Sequence, residues 1–99
     1  MEFEWNPLKS VANASKHGVS FEDALGMWTG RVVEVAEIAK TIDGETRGAT
    51  LGLIAGHVYT AVWTLRGETI RLISVRRARY GETKVYFEKV RQEGGREDL

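Results

Sequence analysis

Val58-Tyr59-Thr60-Ala61-Val62-Trp63-Thr64-Leu65 is the stretch on which the fold turns. It is rich in β-branched and aromatic residues, which pack well on a pleated surface, and it reads as the strongest strand in the chain. Before it, Ala55-Gly56-His57 is a tight turn and Thr46 to Ile54 a preceding strand. After it, Arg66-Gly67-Glu68 is a turn and Thr69 to Val75 or Arg76 a further strand. Upstream, Val33, Val35 and Glu37 alternate with Val32, Glu34, Ala36 and Ile38. That period of two predicts a strand from residue 31 to about Ile38, with a turn at Ile42-Asp43-Gly44-Glu45. Consecutive strands joined by short turns pair as an antiparallel meander.

The flanks are mostly helical. Glu2-Phe3-Glu4-Trp5 alternates polar and apolar and reads as a short strand. Asn6-Pro7 then opens a helix, since Asn is a good N-cap and Pro at the first helical position has its φ already set. Leu8, Val11, Ala12 and Ser15 keep a narrow stripe at helical spacing, and Gly18 ends the helix. Ser20-Phe21-Glu22-Asp23 resembles a capping box with Asp in place of Glu or Gln. Phe21, Ala24, Leu25 and Trp28 predict a core-facing stripe on a second helix that stops at Gly30, although Gly26 inside it costs about 1 kcal/mol relative to Ala. A last helix is expected from about Arg79 to Gln92, ended by Gly94-Gly95. The fold class is therefore α+β: an antiparallel sheet of four to five strands, two N-terminal helices and one C-terminal helix. Gly44, Gly48, Gly52 and Gly56 imitate a helix-packing repeat, but Glu45 and Arg47 interrupt it, so they read as turn and strand features.

Ninety-nine residues make one domain, here expected over 1–93 with a flexible tail at 94–99. Apolar residues are 42% and charged residues 28%, the balance of a soluble globular chain. Cysteine is absent, which removes disulfides and thiolate metal sites. No apolar run approaches the ~20 residues of a membrane span. Met1-Glu2-Phe3-Glu4 lacks the basic and apolar regions of a signal peptide, so a soluble cytoplasmic protein is expected. Net charge is zero, yet residues 66–91 carry eight Lys/Arg against three Glu. That third of the chain can present a positive surface, while the neutral total argues against generic coating of nucleic acid.

Two histidines are present, and neither stands at a zinc-like spacing such as HExxH, so no metal or other cofactor is expected. His57 reads as an exposed turn residue. His17 sits beside Lys16 in the last turn of the first helix. It is either a residue that complements the helix dipole or a proton-transfer group with Lys16 close by. Arg66, Arg71, Arg76, Arg77 and Arg79 cluster on and around one strand. By alternation Arg71 and Arg77 share a face with Ile73 and Val75, and Arg76 shares one with Ile70, Leu72 and Ser74. Such a cluster makes either salt bridges or an anion site, since guanidinium forks match phosphate geometry. No Ser/His/Asp system and no Gly-rich phosphate loop is visible.

Taken together these residues resemble a known family. Phe3-Glu4-Trp5-Asn6-Pro7, Lys9, Asn13 and Lys16-His17-Gly18-Val19-Ser20-Phe21-Glu22-Asp23-Ala24 look like the N-terminal signature of BrnT toxins. Arg47 with Gly52, Val62-Trp63-Thr64 with Arg66-Gly67, and Ile70-Arg71-Leu72-Ile73-Ser74-Val75-Arg76-Arg77-Ala78 are similar to its later segments. Glu82 and Tyr86 fall where its closing helix has Glu and Tyr. Asn6 stands where the family commonly has Asp, and the closing helix here carries fewer arginines.

The resemblance implies a RelE-like fold and a ribonuclease toxin of a type II toxin–antitoxin pair, cleaving RNA and so inhibiting translation. It implies a BrnA-like antitoxin with a ribbon-helix-helix domain, contact with DNA only through that antitoxin, and assembly as a dimer or heterotetramer with it. RNA cleavage without metal needs a base, an acid and positive charge on the phosphate. Lys16 or His17 is the candidate proton carrier. Arg66, Arg71 and Arg76 are candidates to hold the phosphate. Glu22 either orients Lys16 or His17 or serves its own helix dipole. Arg77, Arg79 and Tyr86 are substrate-binding candidates, with Tyr86 either stacking on a base or packing. The competing class is a binding module, a catalytically degenerate homologue whose arginines receive the acidic surface of an antitoxin.

Overall fold

A computed structural model describes residues 2–36 and 47–97. The elements run β1 (Glu2–Glu4), α1 (Pro7–His17), α2 (Phe21–Ala24), β2 (Val32–Ala36), β3 (Arg47–Ile54), β4 (His57–Arg66), β5 (Thr69–Arg77) and α3 (Tyr80–Glu97). The expected turn at Ile42–Glu45 and the end of β2 near Ile38 lie outside the described residues. The sheet has five strands in the order β1-β5-β4-β3-β2. From β2 to β5 it is the antiparallel meander expected from the short turns, with Ala55-Gly56 alone forming the first described hairpin tip and His57 already opening β4.

The wholly antiparallel expectation fails at β1. This strand pairs parallel to β5, with Phe3 beside Ile70 and Glu4 beside Arg71, so the sheet is mixed. The rule that short turns give antiparallel neighbours has no hold on β1, which reaches the sheet through helices rather than a turn.

The N-terminal helices cover one face. Asn6 caps α1, its Oδ1 accepting from the Leu8 N–H at 2.9 Å, and Gly18 closes it at φ 79°. Ser20 caps α2, its hydroxyl accepting from the Asp23 N–H at 3.1 Å. The second helix is shorter than its apolar stripe predicted. After one α turn the chain tightens into a 3-10 segment, Leu25–Thr29. Phe21, Ala24 and Met27 are the buried residues, a spacing of three that suits 3.0 residues per turn, while Leu25 and Trp28 pack only partly. These side chains meet Ala61, Ile70, Leu72 and Val75 in the main core. On the other face α3 lays Tyr86 against Val33, Leu51 and Val58. The backbone of α3 continues through Gly94 and Gly95 to Glu97, past the expected stop, because a glycine weakens a helix without ending it unless it turns left-handed.

α1 buries a polar side. Ser10 and Asn13 are its buried residues, whereas Leu8 and Val11 are 79% and 69% exposed. The reason lies at the sheet edge. β1 covers β5 only from Thr69 to Arg71, which leaves the following residues with a strand partner on the β4 side alone. Asn13, 7% exposed, takes the other side. Its Nδ2 donates to the Val75 carbonyl at 2.8 Å and its Oδ1 accepts from the Val75 N–H at 3.1 Å. The same Nδ2 donates to the Val19 carbonyl at 2.8 Å and ties down the α1–α2 joint.

One irregularity inside β5 changes which residues share a face. Val62 pairs with Ser74 but Trp63 pairs with Leu72, so Ile73 is an extra residue. Simple alternation therefore breaks: Val75 joins Ile70 and Leu72 in the core, and Arg76 moves to the opposite face. Arg71, Ser74 and Arg76 stand across from Thr64, Val62 and Thr60, three residues on one face of β4. In β3, Gly48 lies under the Trp63 ring, where an added Cβ would come to 2.5 Å from it. The ring cannot yield freely, because its Nε1 donates to the Thr50 hydroxyl at 2.9 Å.

Asn13→Ala is expected to lose about 2–4 kcal/mol, because it strands buried backbone groups of Val75 and Val19. Asn13→Asp should cost a similar amount, since a carboxylate cannot donate to either carbonyl. Urea unfolding checks both; a loss within experimental error in either variant would remove Asn13 as the edge cap.

Candidate functional site

The polar side of α1 and the bulge of β5 enclose a surface depression of about 190 Å³. Lys9, Lys16 and His17 line it from α1, and Ile73 and Ser74 from β5, with Asn13 and Ala12 between them. The spacing explains the grouping. Lys9, Asn13, Lys16 and His17 stand at i, i+4, i+7 and i+8, which puts them on one side of a helix, with the two lysines about 10 Å apart along the axis. Lys16 and His17, neighbours in sequence, both line the depression. Lys9 and Ser74 also line it, beyond the candidates that the sequence singles out. The helical spacing from Lys16 back to Lys9 was readable; the role of Ser74 was not, since it depends on the bulge.

The depression holds up to three cationic side chains and no carboxylate among the described residues that line it. Amine, imidazole and hydroxyl groups there can neutralise a phosphate and carry protons. Glu22 is engaged elsewhere. Its Oε1 accepts from the Ser10 hydroxyl at 2.7 Å, and the Ser10 oxygen accepts from the Phe21 N–H at 2.9 Å. Glu22 therefore braces α1 against α2 in place of orienting Lys16 or His17 directly.

The arginines divide. Ser74 leads from the depression onto the sheet face that carries Arg71 on one side and Arg76 on the other. The two are opposite β4 residues four apart, about 13 Å along the strand. Arg71 donates to Glu4 of β1 at 2.8 Å. Arg76 makes a two-pronged pair with Glu82, at 2.8 and 3.0 Å. Arg66 is exposed at the far end of β4, opposite Thr69. Arg77 lies 5.7 Å from the centre of the Tyr59 ring, with its Nη2 3.2 Å from His57 Nδ1. His57 is thus exposed, as read from the sequence, but shares a contact with Arg77. Arg79 is exposed and gives its backbone N–H to the Glu82 carboxylate at 2.8 Å, the carboxylate half of a capping box at the start of α3. Tyr86 takes the packing alternative: it is 3% exposed, its hydroxyl donating to the Arg31 carbonyl at 3.0 Å, so its ring is not available to stack on a base.

The Glu82 carboxylate accepts from Arg76, from the Arg79 N–H and from the Thr60 hydroxyl. Burial alone would raise its pKa. The Arg76 hydrogen bonds and charge, the Arg79 N–H and the Thr60 hydroxyl outweigh that and hold it at about 2, against an ordinary 4.5. Arg76 is pushed up by the same partner, against the opposing effect of its own burial. Among the described residues no three His, Asp or Glu side chains form a group that could hold a metal ion, and no helix is long and apolar enough to cross a membrane.

The structure is thus a small α+β fold in which a depression lined by Lys9, Lys16 and His17 adjoins a sheet face that bears Arg71 and Arg76. Residues 5–82 match the family described as ribonuclease toxin, BrnT, of type II toxin–antitoxin system, and the chain belongs to that family. The matched stretch includes Lys16, His17, the arginines and Glu82, and ends before Tyr86. No curated protein matches the chain.

Because Glu82 is depressed in the folded state, its contribution to stability is present above about 4.5 and is lost as pH falls toward about 2. Glu82→Gln is therefore expected to be less stable at neutral pH and to show a shallower loss of stability across that acid window. Thermal unfolding at a series of pH values checks this; parallel curves for variant and wild type would contradict it.

Proposed function

We propose that the chain is an endoribonuclease toxin that cleaves RNA without a metal ion and so inhibits translation, with its reacting centre in the α1–β5 depression. The observation that carries this reading is the meeting of Lys9, Lys16, His17 and Ser74 beside a strand whose same face bears Arg71 and Arg76. In the proposed reaction the 2′-oxygen of one nucleotide attacks the adjacent phosphorus as its proton is removed. The bond to the 5′-oxygen breaks, and that oxygen takes up a proton. Lys16 and His17 carry these protons between them. Lys9 and the arginines balance the charge that develops on the phosphate. Arg71 and Arg76 serve by exchanging a carboxylate partner for the phosphate. Arg66, Arg77 and Arg79 extend the cationic surface along the RNA.

The reading includes a RelE-like arrangement of helices on the sheet, residence in the cytoplasm, and a BrnA-like ribbon-helix-helix antitoxin as partner, through which alone the pair meets DNA. A second reading is favoured by one observation: Arg71 and Arg76 are already paired with Glu4 and Glu82. On that reading the chain is a degenerate toxin that acts only by binding its antitoxin.

The two readings separate in the free chain. Purified protein in EDTA is expected to cleave a weakly structured messenger RNA, tested with and without ribosomes. Lys16→Ala/His17→Gln should lower the rate about 10²–10⁴-fold, the usual worth of positioned proton transfer, while leaving the circular dichroism unchanged. A fully active double variant would move the reacting centre elsewhere. No cleavage by a folded wild-type chain in either condition would leave the binding module.

A further inference from the structure

The reading as a type II toxin requires a partner, and α1 carries an apolar surface that is mostly exposed. Leu8 and Val11 are three residues apart on the outward side of α1 and mostly exposed, with the small Ala12 and Ser15 beside them. A singly exposed aliphatic residue needs no explanation, but here the apolar side of an amphipathic helix faces away from the core while its polar side is buried. The flank of this stripe is Lys9 and Lys16, and α1 contains no acidic residue. The small residues let another helix approach closely, the aliphatic side chains give it an apolar seat, and the lysines select carboxylates.

Resting on the toxin reading, we infer that the outward face of α1 is the docking site of the antitoxin, through an acidic amphipathic helix. That helix covers Leu8 and Val11 and sets its carboxylates against Lys9 and Lys16. Single-stranded RNA is a poorer fit, because bases stack on aromatic rings and Arg planes rather than on Leu and Val. The position has a consequence for regulation. Lys9 and Lys16 also line the depression, so carboxylates that pair with them neutralise its rim. One contact then both holds the partner and masks the site.

Leu8 and Val11 do not line the depression and are exposed, so they can be changed without touching its chemistry. The test is the full chain carrying Leu8→Glu/Val11→Glu, titrated with its cognate antitoxin, with RNA cleavage, circular dichroism and size-exclusion measured in parallel. Leu8→Ser/Val11→Ser serves if the Glu pair disturbs the fold. The expected result is unchanged fold and RNA cleavage, with antitoxin affinity lower by about 30-fold or more, the scale of losing interface anchors. Wild-type affinity should also fall as salt rises. Unchanged antitoxin affinity overturns the inference. So does loss of RNA cleavage with affinity kept, which would assign the stripe to RNA. So does a wild-type dimer that the variant separates with affinity kept, which would assign it to a second copy. A wild-type chain that binds antitoxin but cleaves no RNA would remove the ribonuclease reading alone, and the affinity of the double variant would still decide the docking site.

Discussion

The carboxamide of Asn13 is the interaction on which the rest of the structure depends. A sheet edge presents backbone donors and acceptors that must be satisfied, and β1 is too short to do this along all of β5. Asn13 supplies both a donor and an acceptor to Val75, as a neighbouring strand would, and reaches the Val19 carbonyl as well. A polar side chain buried this way is stabilising only when every group is paired. The cost is that α1 must turn its polar side inward. Its apolar residues are displaced to the surface, and its basic residues are brought to the rim of β5.

That inversion links the fold to the chemistry. A helix docked by its apolar stripe would turn His17, on the opposite side, away from the sheet. Docked by Asn13, it holds Lys9, Lys16 and His17 against Ile73 and Ser74. The bulge completes the arrangement, because the extra residue at Ile73 sets Arg71, Ser74 and Arg76 on one face. At the far end the Arg76–Glu82 pair, with Thr60 and the Arg79 N–H, anchors the first turn of α3 to β4 and β5. Its depth of hydrogen bonding sets it apart from the more exposed pair of Arg71 with Glu4.

Much of this was legible in the sequence, and the misses have physical causes. The caps at Asn6, Gly18 and Ser20 and the hairpin-linked strands follow from local propensities, which act over a few residues. The parallel direction of β1 is a tertiary outcome that no local pattern carries. The stripe Leu8, Val11, Ala12 and Ser15 was visible, but its outward direction depends on the unpaired edge of β5, a partner more than sixty residues away. The shared face of Arg71 and Arg76 was hidden by the bulge, since alternation is blind to one inserted residue. Lys16, His17 and the arginines stand out in the sequence by residue type, and the resemblance adds Glu22 and Tyr86. In the structure Lys16 and His17 line the depression, Arg71 pairs with Glu4 and Arg76 with Glu82, and the Tyr86 ring is withdrawn into the core.

The central claim is that the depression made by α1 and the bulge of β5 receives RNA. The most direct measurement is amide chemical-shift mapping of the chain against a short RNA made uncleavable by 2′-deoxy substitution at its reactive position. The account predicts that the largest shifts fall on Lys16, His17, Ile73 and Ser74 and extend toward Arg71 and Arg76. Shifts confined to the outer side of α3, or none at concentrations where the natural RNA is cleaved, would contradict it.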